Sequence, residues 1–149
     1  DEAEFYFSAN PGEPIRPLGD VASGGELSRV MLAIKTVLAD EEDTPTLIFD
    51  EIDTGISGIT AGKVGEKLRL IGKSRQVLCI THLPQIAAAS DHHFLIKKEM
   101  DGNSVKTRIF PLDEEASVEE LARLLGGANI TGRIMESAKE MKELAKSER

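Results

Sequence analysis

Asp50 and Glu51 stand side by side directly after the apolar run Thr46-Leu47-Ile48-Phe49. Two adjacent carboxylates can divide labour. An oxygen engaged by a hard cation such as Mg²⁺ is a poor proton acceptor, which leaves the neighbouring carboxylate to polarise a water. The plainer reading is a pair of acids at a helix N-terminus, where the dipole favours negative charge. Upstream, Ser23-Gly24-Gly25-Glu26 opens a segment with Val30, Met31, Ile34, Val37 and Leu38 at helical spacing. Ser23 and Glu26 fit a capping box, in which each side chain serves the other's backbone amide. A cap does not account for Gly24 and Gly25, which cost roughly 1 kcal/mol each relative to Ala inside a helix. Bare amides at a helix N-terminus are a device for binding phosphate. Downstream, Gln76-Val77-Leu78-Cys79-Ile80 runs into Thr81-His82 and sets an imidazole at the end of a second apolar run. A lone His serves equally well as a structural hydrogen-bonding group.

These residues need elements to position them. Leu47, Ile48 and Phe49 leave no polar alternation, so the sequence predicts a strand buried on both faces, as in a parallel sheet with ligands at the strands' carboxyl ends. An edge strand is expected over Glu4–Ser8 and a Pro/Gly loop over Asn10–Pro17, followed by a helix from about Gly24 to Asp40. After the Asp50-Glu51 strand come a helix from Ser57 or Thr60 to about Ile71, the His82 strand, and a short helix from Pro84. A hairpin, Phe94–Glu99 and Ser104–Phe110, is turned by Asp101-Gly102. Ser117 with Glu120 caps the next helix, Gly126-Gly127 stops it, and Thr131–Glu148 forms the last one. Met135, Ala138, Met141 and Leu144 or Ala145 give that helix a narrow apolar stripe, read as packing on the domain. There are no internal repeats, and the only composition shift is the charged tail after Ser137.

The same groups, in the same order, occur in the carboxyl-terminal half of an ABC-type ATPase head. More narrowly, Ser23-Gly24-Gly25-Glu26-Leu27-Ser28-Arg29, Phe49-Asp50-Glu51-Ile52-Asp53-Thr54-Gly55-Ile56-Ser57-Gly58 and Thr81-His82-Leu83-Pro84-Gln85-Ile86-Ala87 resemble the RecN family, bacterial SMC-like proteins of DNA double-strand-break repair. The likeness continues through Asn10-Pro11-Gly12-Glu13-Pro14 and Glu120-Leu121-Ala122-Arg123-Leu124-Leu125-Gly126-Gly127, and so covers nearly the whole chain. Transporter ATPases usually carry Gln at the position of Glu26 and a Pro-Thr-Ser loop after the acids, so this chain departs from them.

The resemblance implies an α/β fold, the carboxyl-terminal lobe of an ABC/SMC-type P-loop ATPase head. That lobe has a mostly parallel sheet flanked by helices, a peripheral β-hairpin and carboxyl-terminal helices. ATP and Mg²⁺ are the implied ligands. Asp50 would act on the metal through a water, Glu51 would be the general base, and His82 would sense the terminal phosphate. Ser23, Gly24, Gly25 and Glu26, with Asp53, would act in trans on nucleotide held by a second head. The implied partners are that second head in a homodimer, the amino-terminal P-loop half of the same protein, and DNA through the full-length protein. The implied activity is ATP-driven head dimerisation and hydrolysis coupled to DNA tethering in repair and recombination.

A complete site of this class needs G-x-x-x-x-G-K-[ST], whose amides cradle phosphates. The chain has none. Gly72-Lys73-Ser74 is a decoy, because Lys67 stands where the first glycine should be, and it reads as a helix C-terminal stop. Residues 1–149 are therefore expected to be half of a head, inactive alone, with a sheet face or edge left open. A net charge of −8, from 26 acidic and 18 basic residues, gives no overall basic footprint for nucleic acid. The single cysteine, Cys79, excludes an internal disulfide and reads as a small buried hydrophobe. No run reaches the roughly 18 apolar residues of a membrane span, and no signal peptide opens the chain, so the expected location is the bacterial cytoplasm, at the nucleoid. His92 and His93 lack the spacing of a zinc site and read as a strand edge. Two other functions stay open: a noncatalytic interaction or structural module that kept the fold, and a transporter ATPase, which Glu26 and Ile52-Asp53-Thr54 disfavour.

Overall fold

The computed structural model describes residues 4–8, 11–38, 44–102 and 104–147, with only the backbone of Val21. The chain divides into two compact units, Asp1–Thr81 and His82–Arg149.

In the first unit a short antiparallel pair, β1 (Tyr6–Phe7) with β2 (Arg16–Pro17), leads into a single-turn helix, α1 (Leu18–Val21). The segment predicted as a loop up to Pro17 thus ends in a strand; Pro17 lacks an amide donor and is tolerated because the strand is an edge. Asn10 lies outside the described residues, as does Asp40, the expected end of the next helix. That helix, α2 (Gly24–Val37), begins with the full capping box between Ser23 and Glu26. β3 (Thr46–Phe49) and β4 (Gln76–Cys79) pair in parallel, and α3 (Gly58–Gly72) supplies the crossover that parallel pairing requires.

Leu47 and Phe49 of β3 are buried, as are Ala61, Val64, Leu68 and Ile71 of α3. Ile48 is 69% exposed, and Leu78, its partner across the pair, is 46% exposed. The expectation of burial on both faces is therefore corrected: side chains alternate and the outer face is open. An apolar run records what a face is made of and not whether anything covers it. The α/β class holds, with this one pair as its parallel component among the described residues.

The second unit contains α4 (Pro84–Ala88), the hairpin β5 (His93–Asp101) and β6 (Ser104–Leu112), α5 (Glu114–Gly126) and α6 (Gly132–Ser147). Ala87 and Ala88 of α4, Val118, Leu121 and Ala122 of α5 and Ala138 of α6 form its core, with Met135, Met141 and Ala145 packed against it. The stripe of α6 thus does pack, except for Leu144, which is exposed.

Two expectations are corrected here. Asp101 is the last residue of β5 and pairs with Ser104, so of the expected Asp101-Gly102 pair only Gly102, at φ 62°, belongs to the turn. Residue 103 and Glu148 lie outside the described residues. Helix α5 is capped by Asp113, whose Oδ1 accepts the Ala116 amide at 2.8 Å, and not by Ser117. Ser117 lies inside the helix, buried, with its Oγ 2.9 Å from His93 Nδ1. The acids Asp113, Glu114 and Glu115 suit the positive end of the helix one turn before the Ser-x-x-Glu pattern. Gly127, at φ 62°, ends α5 as expected.

Candidate functional site

The acid pair occupies the turn that leaves β3. Glu51 has φ 56°, the one non-glycine residue with positive φ among the described residues. Thr54 N donates to Glu51 O at 3.0 Å to close the turn, and Glu51 N donates to Asp50 Oδ1 at 2.8 Å. Asp50 and Glu51 are exposed, whereas Ile52 between Glu51 and Asp53 is fully buried and anchors the turn. A left-handed non-glycine residue costs about 1–3 kcal/mol and persists only where its surroundings hold it.

The hold comes from α2. Ser28 Oγ donates to Asp50 O at 2.8 Å, and Arg29 Nη1 donates to Ile52 O at 3.1 Å and to Thr54 O at 2.8 Å. At a net contribution of about 1 kcal/mol each, three such bonds are enough to offset the strain. The glycines let the helix come this close. A Cβ on buried Gly25 would stand 2.9 Å from Glu51 O, Thr54 O and Thr54 Cβ, so nothing but glycine fits without moving backbone. A Cβ on exposed Gly24 would collide with Glu51 Oε2, the end of a flexible side chain.

The glycines therefore have a packing reason that sequence reasoning missed, and their presence no longer needs a phosphate to explain it. Ser23 is likewise engaged internally: its backbone N and its Oγ each donate to Glu26 Oε2 at 2.8 Å, and its Oγ accepts the Glu26 amide at 3.4 Å. The Ser23 amide, then its hydroxyl, hold the Glu26 carboxyl below the usual range.

Asp53 departs most from expectation. Its side chain is 4% exposed and accepts a hydrogen bond from Thr81 Oγ1 at 2.6 Å. In this structure the carboxylate is turned inward and tied to Thr81, just past the end of β4. It ties the acid-bearing turn to the residue just before His82. Cys79 lies on the same strand; burial, then the charges of Asp53 and Asp50, push its thiol up to about 12, which keeps it protonated. His82 is exposed and opens the second unit, after the end of β4. Thus the structure brings Ser23, Gly24, Gly25 and Glu26 together with Asp50, Glu51 and Asp53 in one unit, while His82 stands in the other. From sequence, Ser28, Arg29, Thr54 and Thr81 stand only as members of the resembling motifs, with no roles of their own. Their bonds are side chain to distant backbone or carboxylate, and such contacts leave no periodic signature.

The residues present suit the ligands that the resemblance implies. Asp50 offers one exposed carboxylate at a strand's carboxyl end, which fits a cation that keeps most of its waters and takes only one or two carboxylates. Gly24, exposed in the first turn of α2, adds no side chain of its own over the backbone N–H groups there, and the neighbour against it is the end of the flexible Glu51 side chain.

No family model matches the chain. Among curated proteins it is similar to the DNA repair protein RecN of Halalkalibacterium halodurans, 50% identical over 147 residues, 99% of this chain and 26% of that protein. It is likewise similar to the RecN of Vibrio cholerae, 50% identical over 141 residues, 95% of this chain and 26% of that protein. With the RecN of Bacillus subtilis the identity is 46% over 141 residues, 95% of this chain and 24% of that protein. The chain spans about a quarter of the length of these relatives. Among solved structures it is similar to a chain from work on ATP-driven dimerization and DNA stimulated activation of SMC ATPases. The TM-score is 0.53 at 20% identity, over 79% of this chain and 70% of that one. That likeness is one of fold alone, and the fold is of the α/β class.

Proposed function

We propose, on the premise that this chain is RecN-like along nearly its whole length, that residues 1–149 form the carboxyl-terminal half of an SMC-like ATPase head. The head would act in DNA double-strand-break repair and would hydrolyse ATP only when paired with a second head. One observation carries this reading: the exposed acids Asp50 and Glu51, on a strained turn, lie against the glycine start of α2 within a single unit. A scaffold has no need to hold a glutamate in a left-handed conformation.

The roles follow from chemistry. Asp50 would hold a Mg²⁺ ion, which when bound would offset phosphate charge. Glu51, exposed beside Asp50, takes the proton from the attacking water. His82 would sense the terminal phosphate, as the resemblance implies. The Gly24 turn presents its amides to nucleotide on the opposite head, with Ser23 and Glu26 shaping that turn through the capping box. Asp53 acts from within, by holding the turn to Thr81. The nucleotide's phosphate cradle belongs to the amino-terminal half of the same protein, and DNA is engaged by the full-length molecule. No described helix is long and apolar enough to cross a membrane.

The competing reading is a noncatalytic head module, favoured by the internal explanation that the capping box and the 50–54 turn give for Ser23, Gly24, Gly25 and Glu26. Adding the amino-terminal, P-loop-bearing half and measuring Mg-ATP hydrolysis separates the two. Turnover is expected with both halves present and with neither alone. A folded, combined head without turnover would establish the noncatalytic reading, and micromolar binding of Mg-ATP by the 149-residue chain alone would mean the nucleotide site is elsewhere.

A further inference from the structure

The acid-bearing turn is gripped from one side by a residue that none of the proposed roles uses. Arg29 Nη1 reaches two carbonyls, Ile52 O at 3.1 Å and Thr54 O at 2.8 Å, on either side of Asp53. Ser28, its neighbour, takes the Asp50 carbonyl at 2.8 Å. Alternate carbonyls of the turn are thereby drawn onto α2, while the Asp50 and Glu51 side chains stay exposed. The grip begins one turn of helix after Gly24 and Gly25, the residues that touch the turn from the helix start. The Arg29 charge acts on Glu26 as well.

We infer that Arg29 is the positioning residue that fuses the first turns of α2 and the 50–54 turn into one rigid piece. The inference rests on the proposed function and deepens it. If the α2 N-terminus engages phosphate held by the opposite head while Glu51 serves its own, then Arg29 links the two sites of a head pair. Engagement at the helix start cannot shift α2 without shifting Glu51. A guanidinium suits the task because its rigid fork keeps a fixed direction to both carbonyls, whereas a lysine ammonium is a single point donor on a flexible stem.

The test uses the full-length parent protein, with Arg29→Ala, Arg29→Lys and Ser28→Ala compared with Glu51→Gln. Arg29→Ala should lower kcat at least tenfold, leave KM for Mg-ATP within about twofold, and speed hydrogen exchange at the Thr54 amide. Arg29→Lys should recover only part of the rate, and Ser28→Ala should lose severalfold. If Arg29→Ala fails to fold, the Lys and Ser28 variants carry the test, with the same split between kcat and KM. Turnover within twofold of wild type in Arg29→Ala, beside an inactive Glu51→Gln, would overturn the inference and leave the proposed function standing. A rise in KM at unchanged kcat would overturn it as well. Should Glu51→Gln itself keep full turnover, the failure belongs to the proposed function. The grip is then judged by Thr54 exchange alone, and unchanged exchange in Arg29→Ala would refute it.

Discussion

The core of the second unit and the acid-bearing turn of the first are held by different forces. In His82–Arg149 three helices bury Ala87, Ala88, Val118, Leu121, Ala122 and Ala138 in one apolar cluster, and polar groups such as Ser117 and Lys142 are buried within it. In Asp1–Thr81 the part that matters most is a turn with exposed acids, held by hydrogen bonds from Ser28, Arg29 and Thr81 to backbone carbonyls and to one carboxylate. Apolar burial is additive and tolerant of small shifts, whereas a hydrogen-bonded turn keeps its geometry only while every partner stays in place. Damage to the second unit's core should therefore appear as lost stability alone, and damage to the turn as lost geometry at the acids, with or without lost stability.

The largest stability effect is expected at Leu121, which is fully buried. Leu121→Ala should destabilise the second unit by about 2–5 kcal/mol. Hydrogen exchange resolved by segment should show α4, α5 and α6 opening while the 50–54 amides stay as protected as before. Equal loss of protection in both units would break the contrast. Next in size is the pair Gly25→Ala and Gly24→Ala. Gly25 meets backbone atoms that cannot yield cheaply, so its methyl should cost about 1–3 kcal/mol, the scale of an overpacked contact. Gly24 meets only the Glu51 carboxylate, so Gly24→Ala should keep the fold and swing that side chain away. Thermal melting of both variants checks this, and equal melting temperatures would contradict it.

The smallest effect is a pH dependence of the second unit. Burial, then the Lys142 charge, lower the His93 pKa below 6.5, with Glu120 opposing in part. The unfolded chain therefore binds more protons there than the folded one, and stability rises with pH through this window. It is full above about pH 6.5 and falls as the pH drops from there towards the lowered folded value. His93→Gln should flatten that slope in chemical denaturation at several pH values, and an unchanged slope would assign the dependence to other groups.

Much of this architecture was readable from residue types. The strand before Asp50, the capping box of Ser23 and Glu26, the α3 helix and the stop at Gly127 all rest on local chemistry within a few residues. For α5 only Ser117-x-x-Glu120 reads as a cap from sequence; in the fold Asp113 takes that role through the Ala116 amide, and the Ser117 hydroxyl lies against His93 of another element. The open face at Ile48 and Leu78 was hidden because apolar content is the same whether or not a cover exists. The glycines at 24 and 25 were legible as special, but the reason was not. Their neighbour in space is the 51–54 turn, over twenty residues away in the chain, and only the folded backbone shows how little room it leaves. For the same reason the inward turn of Asp53 onto Thr81 was out of reach.

The central claim is that Glu51 is the proton acceptor of an ATPase, and steady-state Mg-ATP turnover of the full-length parent protein carrying Glu51→Gln tests it most directly. The exchange removes the basic oxygen while leaving size and backbone nearly unchanged. Turnover should fall about 10²-fold or more, the scale of a lost general base, while ATP binding and the ATP-bound head dimer persist. Turnover equal to wild type, with the protein folded and ATP bound, would contradict the account and leave Glu51 as an acid at the end of a strand.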